Sequence, residues 1–185
     1  MEKIIFGLTS EMAGGKETVK KYLEKNYQSK SCRFSSIMRD ILDRLYLEKS
    51  RDNIQKLSTS LRQVYGEDIL ALTISKEVKD IKSNIVVVDG VRREADIKYL
   101  KELDNFYLVA IEADSKLRFE RLKKRAENPG DNEKNYQDFL NDHKKEADKH
   151  IPEVMEKADL TIDNNGSLDD LYKQIDKLIK DRQNR

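Results

Sequence analysis

Cysteine, histidine and long apolar runs are all scarce in this chain, and neither sign of charge dominates. The one cysteine, Cys32, excludes an internal disulfide and suits a reducing compartment. Its neighbours Ser31 and Phe34 suggest a strand, so its thiol reads as a small buried group rather than a nucleophile. No apolar run approaches the roughly 20 residues of a membrane-spanning helix. The first residues run straight into an apolar stretch, without the zones of a signal peptide, so a cytoplasmic protein is expected. Lys+Arg 36 against Asp+Glu 35 gives net +1, which removes any global attraction to nucleic acid or to a membrane; neither is an expected partner. The two histidines, His143 and His150, fall in a polar helical stretch. With no Cys/His cluster a zinc site has no basis, and no Ser-His-Asp arrangement supports a hydrolase.

The 185 residues suffice for one domain with a real core. Hydrophobic content of 37% beside charged content of 38% implies a core wrapped in solvated helices. Short β-branched runs predict strands over 3–8, 32–35, 84–89, 106–112 and 160–162. Helical patterns lie between them, over 17–25, 37–47, 51–79, 93–103, 115–126, 135–150 and 168–180. This alternation predicts an α/β fold with a central parallel sheet of about five strands and helices on both faces. Ile85 to Val88 is apolar throughout, as befits a central strand. Asn164-Asn165-Gly166 forms a turn, after which Leu168, Leu171, Ile175 and Leu178 give the last helix an apolar stripe. The polar segment 127–132 is a loop tip or hinge rather than a domain boundary.

Four elements carry chemistry. The first is Gly7-Leu8-Thr9-Ser10-Glu11-Met12-Ala13-Gly14-Gly15-Lys16-Glu17-Thr18, a small-residue loop between an apolar strand and an amphipathic helix. Strand, loop, Gly-Lys and helix, in that order, aim backbone N–H groups and a mobile cation at one phosphate site. Two positions depart from G-x-x-x-x-G-K-[ST]: Ser10 replaces the first glycine, and Glu17 stands at the magnesium-binding hydroxyl. A carboxylate there would oppose a triphosphate by about 1–4 kcal/mol, unless it turns outward or joins the metal site. The second is Asp89 at the carboxyl end of the central strand, placed to hold magnesium or its waters. Arg92 and Arg93 follow at an expected helix start, where cations are unfavourable unless they meet an anion. The third is Arg118, Arg121 and Arg125, which share one helix face beside the loop 128–131 and suit a mobile lid. The fourth is Arg39, one turn into the helix after Ser35-Ser36, within reach of an acceptor phosphate or of Asp43. Arg51 and Arg62 are weaker candidates of the same kind.

With these elements the chain resembles the P-loop nucleoside monophosphate kinases along nearly its whole length. GLTSEMAGGKETV looks like their phosphate loop, and Thr18 matches the threonine of the Gly-Lys-Gly-Thr in adenylate kinases. DGVRR resembles DGFPR, which puts Arg93 on the arginine that meets the acceptor phosphate; FSSIMR resembles GDMLR, which makes Arg39 its counterpart. RLKKRAENPGDNEKNYQDF looks like the short lid of uridylate/cytidylate kinases, with Arg121 and Arg125 as lid arginines. The tail ADLTIDNNGSLDDL is similar to the end of dephospho-CoA kinases, where Asn165 and Gly166 would lie against the donor adenine.

The resemblance implies a P-loop NTPase three-layer fold, one kinase domain, with a helical acceptor-binding region over 36–80 and a lid over 121–150. It implies ATP with Mg2+ as donor, bound through Ala13, Gly14, Gly15, Lys16, Glu17, Thr18, Asn165 and Gly166. Lys16, Asp89, Arg93, Arg121 and Arg125 would carry catalysis, Asp89 the metal, and Arg39, Arg92 and Arg93 the acceptor. A nucleoside monophosphate is the expected acceptor, dephospho-CoA the alternative, and a weakened nucleotide-binding protein a third reading. A monomer or weak dimer is expected.

Overall fold

The computed structural model of the chain describes residues 3–125, 133–142 and 148–183. Among these residues β1 (Ile4–Thr9), β2 (Lys30–Arg33), β3 (Ile85–Asp89), β4 (Phe106–Glu112) and β5 (Leu160–Asp163) form one parallel sheet in the order β2-β3-β1-β4-β5. The helices are α1 (Lys16–Tyr27), α2 (Phe34–Arg44), α3 (Arg51–Tyr65), α4 (Ile69–Asp80), α5 (Ser115–Arg125), α6 (Tyr136–Asp142), α7 (Ile151–Glu156) and α8 (Leu168–Gln183). The expected fold class therefore holds: a P-loop NTPase-like α/β fold with one central parallel sheet and helices on both faces.

The two-residue period of the strands divides the core. Ile4, Phe6 and Leu8 of β1 join Ile85 and Val87 of β3 in a layer closed by Val19 and Leu23 of α1 and by Leu171, Ile175 and Ile179 of α8. Ile5, Val86 and Val88 point the other way, onto Phe34 and Met38 of α2 and Leu70, Ile74 and Val78 of α4. Strands buried on both faces need such uninterrupted apolar runs. Because β1 pairs with β3, Leu8 stands opposite Asp89, and the loop after β1 leaves the sheet beside that carboxylate. Ligand sites in open parallel sheets form at this carboxyl edge.

Three expected helices change. The helix foreseen over 51–79 is two helices, broken at Gly66, whose φ of +103° a side chain would strain. The helix foreseen over 93–103 shrinks to a 3-10 turn, Glu94–Ile97, because the Asp96 carboxylate takes the Arg92 and Arg93 N–H groups at 3.0 Å each. Of the helix foreseen over 135–150, α6 is present, 143–147 lie outside the described residues, and 148–150 are turn. The strand expected at 32–35 runs from Lys30 to Arg33, and Phe34 already opens α2. Helix α7 was not foreseen; Pro152 in its first turn is a permitted helix start. Among the described residues no helix is long and apolar enough to cross a membrane. The loop 127–132 and His143 fall outside the described residues.

The break at Gly66 is pinned from inside. Arg62 is buried, donates to the Glu67 carbonyl, and pairs with buried Asp96 at 2.6 Å. Replacing Arg62 with methionine strands that carboxylate, and removing one partner of a buried pair costs about 3–5 kcal/mol. Urea or thermal denaturation of Arg62→Met is expected to show that loss, with the far-ultraviolet spectrum of the folded state unchanged.

Candidate functional site

The loop between β1 and α1 is shaped by two glycines that tolerate no side chain. A Cβ on Gly14 would strike the Ser10 hydroxyl, and one on Gly15 would strike the Asn164 amide. Gly15 also has a φ of +114° and precedes α1 without any side-chain cap, which leaves the first N–H groups of that helix for an anion. Ser10 explains the first departure from the motif. Its side chain is buried in the space left bare by Gly14, and its hydroxyl donates to the Glu11 carbonyl at 3.1 Å. Lys16 folds over this loop and donates to the Ser10 carbonyl at 2.7 Å. Burial pushes the Lys16 ammonium down to about 8; Asp89 and Asp148 draw it back up, while Arg92 and Arg125 press it further down. Ala13, at a φ of +59°, completes the turn.

The loop is braced by residues that the motif did not point to. Asn164, at the end of β5, donates its amide to the Gly14 carbonyl at 2.8 Å. Arg118 on α5 pairs with Glu11 at 2.8 Å and donates to the carbonyls of Met12 and Ala113 at 3.2 and 3.0 Å. The Phe139 ring of α6 lies 5.5 Å from its guanidinium carbon. Arg118 is thus a loop brace, buried at 4% exposure, and not part of an open basic face. Arg121 donates to the Asn164 carbonyl at 2.9 Å and supports the same contact. The signal for Asn164 was its place directly after β5, at the head of the Asn-Asn-Gly turn. Arg118 was singled out by its helix face, but as a lid cation; nothing in the sequence paired it with Glu11.

Asp89 sits in a ring of alternating charge. Its Oδ2 accepts from Arg33 at 2.7 and 2.9 Å and from Lys20 at 3.2 Å. Lys20 also pairs with Glu17 at 2.6 Å, and Arg33 approaches Glu17 at 3.6 Å. Burial opposes ionisation of Asp89, but Arg33 and Lys20 outweigh it and hold the carboxyl below the usual carboxylate range. The same cations, with Lys21 at 3.9 Å, hold the Glu17 carboxylate. The second oxygen of Asp89 accepts no hydrogen bond among the described residues. Magnesium takes one or two carboxylates plus phosphate oxygens and waters, so this donor set fits it. Among the described residues no three acidic, histidine or cysteine side chains cluster to hold a metal by themselves.

The remaining expected residues are scattered around this centre. Arg92 pairs with Asp148 at 3.0 Å and Arg93 with Glu67 at 3.2 Å, so the anions these cations called for are carboxylates of the chain. Arg39 is exposed and makes no ion pair among the described residues; Asp43 pairs with Lys49 instead, at 2.7 Å. Arg125 ends α5 and its charge acts on Lys16. Asn165 accepts the Asp114 N–H at 2.7 Å, beside Gly166. Thr18 lies in the first turn of α1.

Comparison with known proteins bears on this arrangement. A family model described as an AAA domain matches residues 7–141. A UPF0200 protein of Staphylothermus marinus is 28% identical over 178 residues, 96% of this chain and 93% of that one. A UPF0200 protein of Pyrococcus horikoshii is 30% identical over 147 residues, 77% of this chain and 78% of the relative. The crystal structure of TT1252 from Thermus thermophilus superposes with a TM-score of 0.66 at 15% identity, covering 98% of both chains. A shikimate kinase from Bacteroides thetaiotaomicron superposes with a TM-score of 0.59 at 15% identity, covering 96% of this chain and 97% of its own. At such identities the solved structures establish the fold.

The Asn164 brace has a measurable consequence. Asn164→Ala leaves the buried Gly14 carbonyl without its donor, at a cost of about 1–3 kcal/mol. Its melting temperature is expected to fall, and phosphate-loop amides near Gly14 to exchange hydrogen faster than in the native chain.

Proposed function

The chain belongs to the AAA domain family and to the UPF0200 proteins, and from that premise we propose that it is an ATP-dependent phosphotransferase acting on a small phosphorylated acceptor. A nucleoside monophosphate is the acceptor we favour. The reading is carried by one observation: Lys16, on a loop that admits no side chains at Gly14 and Gly15, lies within the field of a shielded, ionised Asp89. Backbone N–H groups and the N-terminus of α1 would take the triphosphate, with Ala13, Gly14, Gly15 and Thr18 around it, and Lys16 would neutralise its β and γ phosphates. Asp89 would hold Mg2+, which supplies charge neutralisation between the phosphates when bound. Arg125 and Arg121 would face the transferring group, and Arg39, Arg92 and Arg93 the acceptor. Asn165 and Gly166 would lie on the adenine side. An acceptor phosphate is already an oxyanion, so positioning and charge compensation suffice without a strong base.

Glu17 does not stand against a bound triphosphate. Its carboxylate is engaged by Lys20, Lys21 and Arg33, which lessens its opposition to a triphosphate. Dephospho-CoA remains the second reading, on the Asn164-Asn165-Gly166 turn packed against the phosphate loop.

Lys16→Met is expected to cut phosphoryl transfer by roughly 10²–10³-fold with the melting temperature preserved. The check is coupled ADP release over a panel of nucleoside monophosphates, dephospho-CoA and shikimate; near-native turnover in the variant, or no transfer to any acceptor, overturns the reading.

Proton linkage gives an independent check. The charged fraction of Lys16 falls as pH rises through about 8. Phosphates favour the charged form and raise the pKa again, so nucleotide binding draws in a proton. Uptake should be small well below that pH, about half a proton near it and larger just above. Calorimetry in buffers of different ionisation enthalpy measures it, and Lys16→Met should abolish it.

A further inference from the structure

The carboxylate of Asp148 stands between two guanidinium groups from separate elements. One oxygen meets Arg92 at 3.0 Å and the other faces Arg51 at 3.7 Å. Arg51 opens α3, within the helices that separate β2 from β3, and Arg92 follows β3. The Asp148 side chain is only 12% exposed, whereas those of Arg92 and Arg51 are 46% and 58% exposed. A shielded anion is thus gripped by two cations that stay open to solvent. The charges of Arg92 and Asp148 both act on Lys16, so this bridge lies within electrostatic reach of the lysine of the phosphate loop. Arg93 turns instead to Glu67, at the break between α3 and α4.

Building on the phosphotransferase reading, we propose that Arg51 and Arg92 form the clamp for the acceptor's phosphate, and that Asp148 is a resident anion which that phosphate displaces. Each guanidinium commits one nitrogen to Asp148. A phosphomonoester carries more charge and three free oxygens, and engages both forks in bidentate fashion. Exchange with a resident carboxylate also sets a threshold. A dianionic monoester outcompetes Asp148, while a carboxylate or a phosphodiester, with one charge, gains little by replacing it. The clamp therefore selects acceptors that end in a phosphomonoester, and it adds Arg51 to the acceptor residues already named.

The test uses inorganic phosphate on the full chain saturated with AMP-PNP and Mg2+, so that the phosphate loop is filled. Calorimetry should find phosphate bound about threefold or more tighter in Asp148→Asn, and about tenfold weaker in Arg51→Gln. AMP-PNP affinity should move far less in either. A merely structural Asp148 predicts the opposite, a lower melting temperature with phosphate binding unchanged or weaker, and that result overturns the clamp. Unchanged phosphate affinity in Arg51→Gln, whose exposed side chain makes folding failure a minor concern, overturns it equally. Failure of the native chain to bind AMP-PNP at all sinks the phosphotransferase reading itself, which separates the two failures.

Discussion

Everything at the carboxyl edge of the sheet depends on a space in which two glycines sit without side chains. Gly14 is closed in by Ser10 and Gly15 by Asn164. The loop is therefore positioned from two sides, by its own first residue and by the end of the last strand. Arg118 and Arg121, from a third element, pin the outer turn and the asparagine. A mobile loop would have to be ordered by its ligand; one held in this way presents its N–H groups in advance.

The centre also shows how charge of both signs is used at close range. Glu17 looked like a fault in the motif because the motif alone does not show the cations that meet it. Lys20 and Lys21 are on its own helix, Arg33 arrives from β2, and Lys20 and Arg33 also hold Asp89 of β3. These groups compensate one another locally, as a chain of nearly neutral overall charge allows. Arg92 and Arg93 follow the same logic: cations at the head of a segment are satisfied by Asp148 and Glu67.

The strands and the phosphate loop were legible because each rests on a local pattern. Ile85 to Val88 can only be a covered strand, and Gly-Gly-Lys after a strand has few other uses. Boundaries failed where a single tertiary contact overruled the local preference. Asp96 collects the N–H groups of Arg92 and Arg93 and cuts a helix to a turn, and Arg62 stabilises the break at Gly66. The braces were invisible for a related reason. Asn164 could be read as a turn residue and Arg118 as a surface cation, since nothing in a linear pattern announces which backbone carbonyl a side chain will meet.

The contact between Asn164 and Gly14 spans 150 residues. A ribosome therefore completes the phosphate loop's sequence long before it makes the residue that wedges against it. β1 likewise waits for β3 and β4, its two neighbours in the sheet. The motif made first is thus the part finished last, and a nascent chain stalled before β5 carries the full Gly-Gly-Lys signature without its asparagine wedge. The loop's native geometry thus arrives late in synthesis, at a single step near the far end of the sheet.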